Sequence, residues 1–473
     1  MELELTDMQG LAIRGHGHLP HAHYVLMRFT GVQETKAYLK ELMPLVTHAG
    51  DKAPEVARQV AFTYSGLAFL QLPAFTLGSF SREFREGMTE SHRQFILGDT
   101  GEHAPNDWAW GGDPSDIHLL LMLFAPNDEA LGQLVTTELT RASSFGVILR
   151  ISLPTGMLHD QKEHFGFRDD ISRPLITELV KSKDTGNAPT YPMGEFIMGY
   201  KNLYDEYAPS PLVSKDSPGS QVLLPHPDYP DFMDLGRNGT YLVFRQMQQE
   251  VVRFWDYLKS QAQTTDEAIA LASKMVGRWP DGSPLVRCPF ASDPSLAEEN
   301  DFGYWEEDRS GLKCPLGSHI RRTNPRDHLV TETSQKDSAE MVAKHLMLRK
   351  GRPYGEPLAE TMEVSDLMIA QEDGKERGLH FICLVTDLRR QFEFVQNNWV
   401  NFHKFGGSEQ DADPIIGNHY QKDQVITDRF SIPAYPIRRR LENMPNFVKV
   451  RGGAYFFFPG LKACQFIANY DGI

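Results

Sequence analysis

Three short stretches carry residues whose types and spacing suit redox chemistry. In one, a loop punctuated by Gly311, Pro315 and Gly317 leads to His319, which is followed by Arg321, Arg322 and Arg326. A neutral imidazole is a good ligand for iron, and guanidinium groups close by suit the carboxylates of a large anionic cofactor. The same residues also read as a solvated basic turn. A second stretch, from His164 to Pro174, places Asp169 and Asp170 just after Gly166. Gly166 permits a tight turn that presents a carboxylate at a sheet end, although an Asp-rich turn also caps helices. The third, from Met347 to Gly355, contains Arg349 and reads as a basic helix end closed by Gly351, Arg352 and Pro353.

Taken together these stretches supply an imidazole, a carboxylate and an arginine. Splitting a peroxide on haem iron needs that set. The iron takes one strong ligand and keeps its opposite face open. A base carries a proton from the inner to the outer peroxide oxygen, and a fixed cation stabilises the charge on the departing oxygen.

Something must bring the three stretches together, and the hydrophobic pattern indicates what. Strands are expected at Tyr24–Phe29, Gln59–Tyr64, His118–Phe124 and Gly146–Ile151, with helices over 32–46 and 129–139. A Pro- and Gly-rich insertion from Leu72 to Asp116 interrupts this β-α-β, β-α-β order, which is that of an antiparallel sheet with helices on one face. The second half repeats it more loosely. Strands are expected at Thr240–Phe244 and Leu379–Val385, each followed by a helix, and a further helix at 266–276 is capped by Thr264 or Thr265. Phe447–Val450 and Ala454–Phe458 flank Gly452 and Gly453 and read as a hairpin. The expected fold is therefore α+β, with two ferredoxin-like domains, residues 1–215 and 216–473, joined through a Pro/Asp/Gly-rich connection near 209–238.

Composition narrows the remaining classes. A chain of 473 residues exceeds one ordinary core. A net charge of −15 argues against nucleic-acid binding, which requires a basic face. Cys288, Cys314, Cys383 and Cys464 lie far apart, which excludes a disulfide framework and a C-x-x-C metal site. The acidic N-terminus has no secretory pattern, and no stretch approaches the roughly 18 apolar residues of a membrane helix, so a cytoplasmic location is the simplest expectation.

On these residues the chain resembles the dye-decolorising peroxidases, in their longer form. His319–Arg326 looks like that family's proximal haem signature, Gly166–Asp170 resembles its G-x-x-D-G motif, and Leu348–Gly355 resembles the segment bearing its distal arginine. Further similarity at Met8–Gly10, Gly277–Trp279, Asn300–Phe302, Asp413–Gly417 and Val450–Gly453 extends it over nearly the whole chain. The resemblance implies a dimeric α+β barrel type of fold and one haem b per chain, held mainly by the C-terminal domain. It makes His319 the proximal axial ligand of the iron, Asp169 the distal acid–base, Arg349 the distal cation and Arg326 a propionate partner. It further implies reduction of H2O2 and one-electron oxidation of bulky organic donors, dyes and phenolics, through a ferryl intermediate.

A proximal histidine usually passes its other ring nitrogen to a carboxylate, for which Glu393, Asp411 and Asp413 are candidates. Asp170 stands where the family's second glycine is expected. Aspartate tolerates positive φ better than most residues but less well than glycine. Asp169 is expected to keep the acid–base role, with Asp170 turned away from iron. Two rival readings are a haem-handling protein of the same fold with weak peroxidase activity, and a non-haem metal-binding module built on His16, His18, His21 and His23. The sequence leaves oligomeric state open.

Overall fold

Leu119–Phe124 is an unbroken apolar run because the strand it forms is covered on both faces. In a computed structural model, which describes residues 3–180, 188–329, 333–420 and 426–471, this strand is the third of four in the N-terminal half. β1 (His21–Arg28), β2 (Ala57–Phe62), β3 (Leu119–Ala125) and β4 (Ile148–Thr155) pair antiparallel in the order β2-β3-β1-β4. α1 (Val32–Leu42) links β1 to β2, and α2 (Asp128–Ser144), capped by the Asn127 side chain, links β3 to β4. That connectivity and strand order are ferredoxin-like. The expected insertion folds into short helices at Tyr64–Phe69, Ala74–Ser79, Arg82–Glu86 and Ser91–Leu97, and it buries Trp108 and Trp110.

The second half repeats the arrangement. β5 (Thr240–Gln249) is followed by α3 (Val251–Gln261) and α4 (Thr265–Val276), with Thr264 as the α4 N-cap. β6 (Leu348–Arg349), β7 (Arg352–Tyr354), β8 (Gly378–Val385) and β9 (Val448–Phe458) complete the sheet. Its order is β6/β7-β8-β5-β9, which matches the first half strand for strand.

The halves join edge to edge where Phe457 of β9 pairs with Phe62 of β2, giving one nine-stranded sheet. At the opposite edge Gly156 N and Thr155 Oγ1 both donate to Pro353 O, at 3.1 and 2.7 Å, which brings β4 against β7 and curls the sheet into a barrel. Tyr24, Leu120, Phe124, Phe244, Ile382 and Phe456 fill the interior. The helices cover the outer face.

Three expectations need correcting. Gly452 and Gly453 do not turn a hairpin; they lie inside the continuous strand β9. A Cβ on Gly452 would sit 2.4 Å from Trp110 Nε1, so the glycine marks the close approach of a tryptophan. The Arg349 segment is two short strands and not a helix end. Arg352 points into protein and donates to the carbonyls of Gly15, His16, Leu19 and Pro20, where a helix-end cation would face solvent. The N-terminal histidines also take separate partners. His16 is buried against Phe124, His18 meets Pro54 O, His21 meets Asp128 and His23 meets Ser152. Among the described residues no group of three His, Cys, Asp or Glu could hold a metal.

His380 on β8 is fully buried between Tyr24 and Tyr354, and neither of its ring nitrogens has a partner. Burial lowers it to about 3. The unfolded chain therefore binds a proton near pH 6.5 that the folded chain refuses until about pH 3. The sign follows: this residue's contribution is complete above pH 6.5 and is lost as pH falls toward 3. Between pH 7 and 4.5 wild type is expected to lose about 2 kcal/mol more stability in urea titrations than His380→Leu. Equal losses in the two proteins would refute this.

Candidate active site

The carboxylate segment is a tight hairpin. Asp169 N donates to Gln161 O at 3.0 Å, Glu163 N to Phe167 O at 2.9 Å, and Gly166 N to Glu163 O at 2.8 Å. Gly166 takes φ 94°, and a Cβ there would meet Leu367 Cδ1 at 2.8 Å, so both conformation and space require glycine. Phe165 and Phe167 anchor the tip against Phe254 and Trp255 of α3. Asp169 Oδ1 accepts from Asp170 N at 2.6 Å and from Arg349 Nη1 at 3.3 Å. Asp170 adopts φ 65°, the conformation a glycine would take most easily, and its carboxylate turns outward to Arg173.

Arg349 ends β6 opposite Cys383 of β8, so the two side chains share a face of the sheet. Its Nη2 also donates to Ser172 O at 3.1 Å. Burial along β8 alternates. His380 and Ile382 are buried in the barrel, whereas Leu379 and Phe381, on the face of Arg349, are only half covered. The outer face of the C-terminal sheet thus offers apolar surface beside the Arg349–Asp169 pair.

His319 opens a short helix, α5 (His319–Thr323). Its Nδ1 meets both oxygens of Asp413, at 3.0 and 3.2 Å. Asp413 is fully buried and also accepts from the backbone N–H groups of Ile415 and Ile416, at 2.9 and 3.0 Å. Burial alone would lower the imidazole and raise the carboxyl. Their mutual attraction outweighs it in both groups, so His319 is raised and Asp413 lowered. Arg349 and Asp169 lie near enough for their charges to act on His319 as well. The three distant stretches therefore converge.

Of the three candidate carboxylates only Asp413 reaches the imidazole. Glu393 pairs with Arg93 and Tyr455, and Asp411 accepts from Ser431 N. The arginines after His319 divide differently from the sequence reading. Arg322 is buried and donates to the carbonyls of Trp399, Asp411 and Phe402, and buried Arg321 binds Asp308. Both hold the loop together. Arg326 adopts φ 55° and stacks on Phe302, its Nη groups held by Asn300 and Phe302 carbonyls and by Asn300 Oδ1. Its Nε edge makes no hydrogen bond among the described residues. Glu163, three residues before Gly166, gives no pattern signal in the sequence.

A closed pair of ferredoxin-like sheets thus carries an imidazole–carboxylate pair and an arginine–carboxylate pair within electrostatic reach of each other. Comparison with known proteins gives the family. No family model matches the chain. A dye-decolorizing peroxidase of Exidia glandulosa is 33% identical over 439 residues, covering 87% of this chain and 75% of that protein. Peroxidase 2 of Mycetinis scorodonius is 27% identical over 491 residues, covering 98% and 87%. Among solved structures, a dye-decolorizing peroxidase in complex with 2,6-dimethoxyphenol superposes with a TM-score of 0.77 at 24% identity, covering 98% of this chain and 100% of that one. A DyP-type peroxidase of Anabaena gives 0.77 at 22% identity, covering 98% and 94%. The chain belongs to the dye-decolorizing peroxidase family and is an enzyme, a peroxidase. No helix among the described residues is long and apolar enough to cross a membrane.

Proposed function

We propose that this peroxidase carries haem b, held chiefly by residues 216–473 against residues 1–215, and uses it to reduce H2O2 at the expense of bulky organic donors. One observation carries the proposal: His319 commits Nδ1 to buried Asp413, its Nε2 has no hydrogen-bond partner among the described residues, and the Arg349–Asp169 pair lies within electrostatic reach. The residues fit the cofactor. An imidazole nitrogen left free suits iron, half-covered Leu379 and Phe381 suit an aromatic macrocycle, and the Nε edge of Arg326 suits a propionate.

Bound haem would supply a redox-active iron. His319 would hold it, and Asp413 increases the donor strength of that imidazole by accepting from Nδ1. Asp169 would take a proton from one oxygen of H2O2 and return it to the other. Arg349 holds the negative charge that builds up on that departing oxygen and, through its bond to Asp169, fixes the carboxylate in place.

The relatives' names point to dyes as donors, and the solved neighbour that holds 2,6-dimethoxyphenol points to phenols. Two one-electron oxidations per peroxide would balance the reaction. Purified protein loaded with haem is expected to show a Soret band that changes on adding H2O2 and recovers on adding 2,6-dimethoxyphenol, with oxidised phenol formed. Haem-loaded protein that leaves its spectrum unchanged in peroxide would refute the proposal.

A further inference from the structure

We propose that Glu163 is a positioning residue for the peroxide-handling pair, fixing the Gln161–Asp169 hairpin so that Asp169 meets Arg349. This rests on the roles just proposed for Asp169 and Arg349. Three donors converge on the Glu163 carboxylate. Its Oε1 accepts from Phe167 N at 3.0 Å, and its Oε2 accepts from Phe165 N at 3.0 Å and from the side-chain amide of Gln249. The backbone of Glu163 adds two more bonds to the same turn, through Phe167 O and Gly166 N. One residue therefore closes the tip from both its main chain and its side chain.

In its ionised form the carboxylate meets all three donors. It is acceptor-only, whereas a glutamine in its place would turn an NH2 group toward a backbone N–H. Gln249 connects the carboxylate to the barrel, since it lies at the end of β5 and its backbone N donates to Arg377 O at 2.9 Å. Gln249 Oε1 is buried without a partner, so the hydrogen bond to Glu163 is what orients that amide. Burial pushes the Glu163 carboxyl up to about 7; its three donors oppose the shift, and the nearby charge of Asp169 adds to it.

Phe165 and Phe167 are buried, and Gly166 lies against Leu367 and Val364. Asp169 sits at the base of the hairpin, two residues beyond the last amide that Glu163 holds. Asp169 N in turn bonds Gln161 O across the base of the same hairpin.

The test compares Glu163→Gln, Asp169→Asn and the double variant, all loaded with haem. Glu163→Gln is expected to slow the reaction with H2O2 roughly 10- to 100-fold, the cost of a misplaced catalytic group. The Soret band should be unchanged. Amide hydrogen exchange in residues 161–170 should accelerate, with or without haem. Because Glu163 acts through Asp169, the double variant should be no slower than Asp169→Asn. A wild-type peroxide rate in Glu163→Gln, or a double variant slowed by the product of the single effects, would overturn the proposal. If Asp169→Asn itself reacts at the wild-type rate, the catalytic reading of Asp169 fails and the role of Glu163 falls with it. If Glu163→Gln does not accumulate, Gln249→Leu removes one donor and keeps the carboxylate. The same pattern is expected from it at smaller amplitude, and unchanged exchange and peroxide rate would overturn the proposal.

Discussion

His319→Ala is expected to abolish the Soret band of the purified protein and with it all peroxide-driven oxidation. His164 and His345 are committed elsewhere. His164 donates through Nε2 to Tyr354 O, and His345 stacks on Phe394 and donates through Nδ1 to Arg390 O. The loss should be one of iron ligation and not of folding, because Arg321 and Arg322 keep the loop tied to Asp308, Trp399 and Phe402 whatever stands at 319. Circular dichroism should stay native while haem no longer binds. Asp413→Asn provides the graded companion, with haem retained but affinity lowered roughly 10- to 100-fold, as for outer partners of other metal-bound histidines. A His319→Ala protein with a normal Soret band would remove the axial assignment.

Asp169→Ala should show the second largest effect, slowing the step with H2O2 by about 10²- to 10⁴-fold, the usual share of a positioned acid–base. Asp170→Ala is the internal control. Its carboxylate is bound to Arg173 at the surface, and it touches Asp169 through its backbone N–H, which alanine retains, although alanine at φ 65° adds backbone strain. Stopped-flow measurement of the Soret change would give both rates. A larger loss from Asp170→Ala than from Asp169→Ala would reverse the assignment. Arg349→Leu should fall near Asp169→Ala, since it removes the cation and also the group that orients the carboxylate.

Much of the frame was legible in the sequence. Long apolar runs such as Leu119–Phe124 declare buried strands, and the repeat of strand and helix in each half is enough for a ferredoxin-like pattern. His319, Asp169 and Arg349 stood out because their types suit one reaction and their motifs resemble those of one family. What failed depended on partners remote in sequence. Gly452 and Gly453 look like a turn until Trp110 is known to pack on the first of them. Arg321 and Arg322 look like cofactor ligands until buried carbonyls and Asp308 claim them. Asp411 and Asp413 are two residues apart and chemically alike, and only the path of the backbone decides which faces His319.

The sheet that runs through both halves has a thermal consequence. Arg352, three residues beyond Arg349, is forked onto the carbonyls of Gly15, His16, Leu19 and Pro20, while Phe62 and Phe457 pair at the opposite seam. Neither half can melt and leave the other with a finished edge. Scanning calorimetry of the protein should therefore record a single transition, and the loss of activity on heating should follow the same curve as the loss of structure.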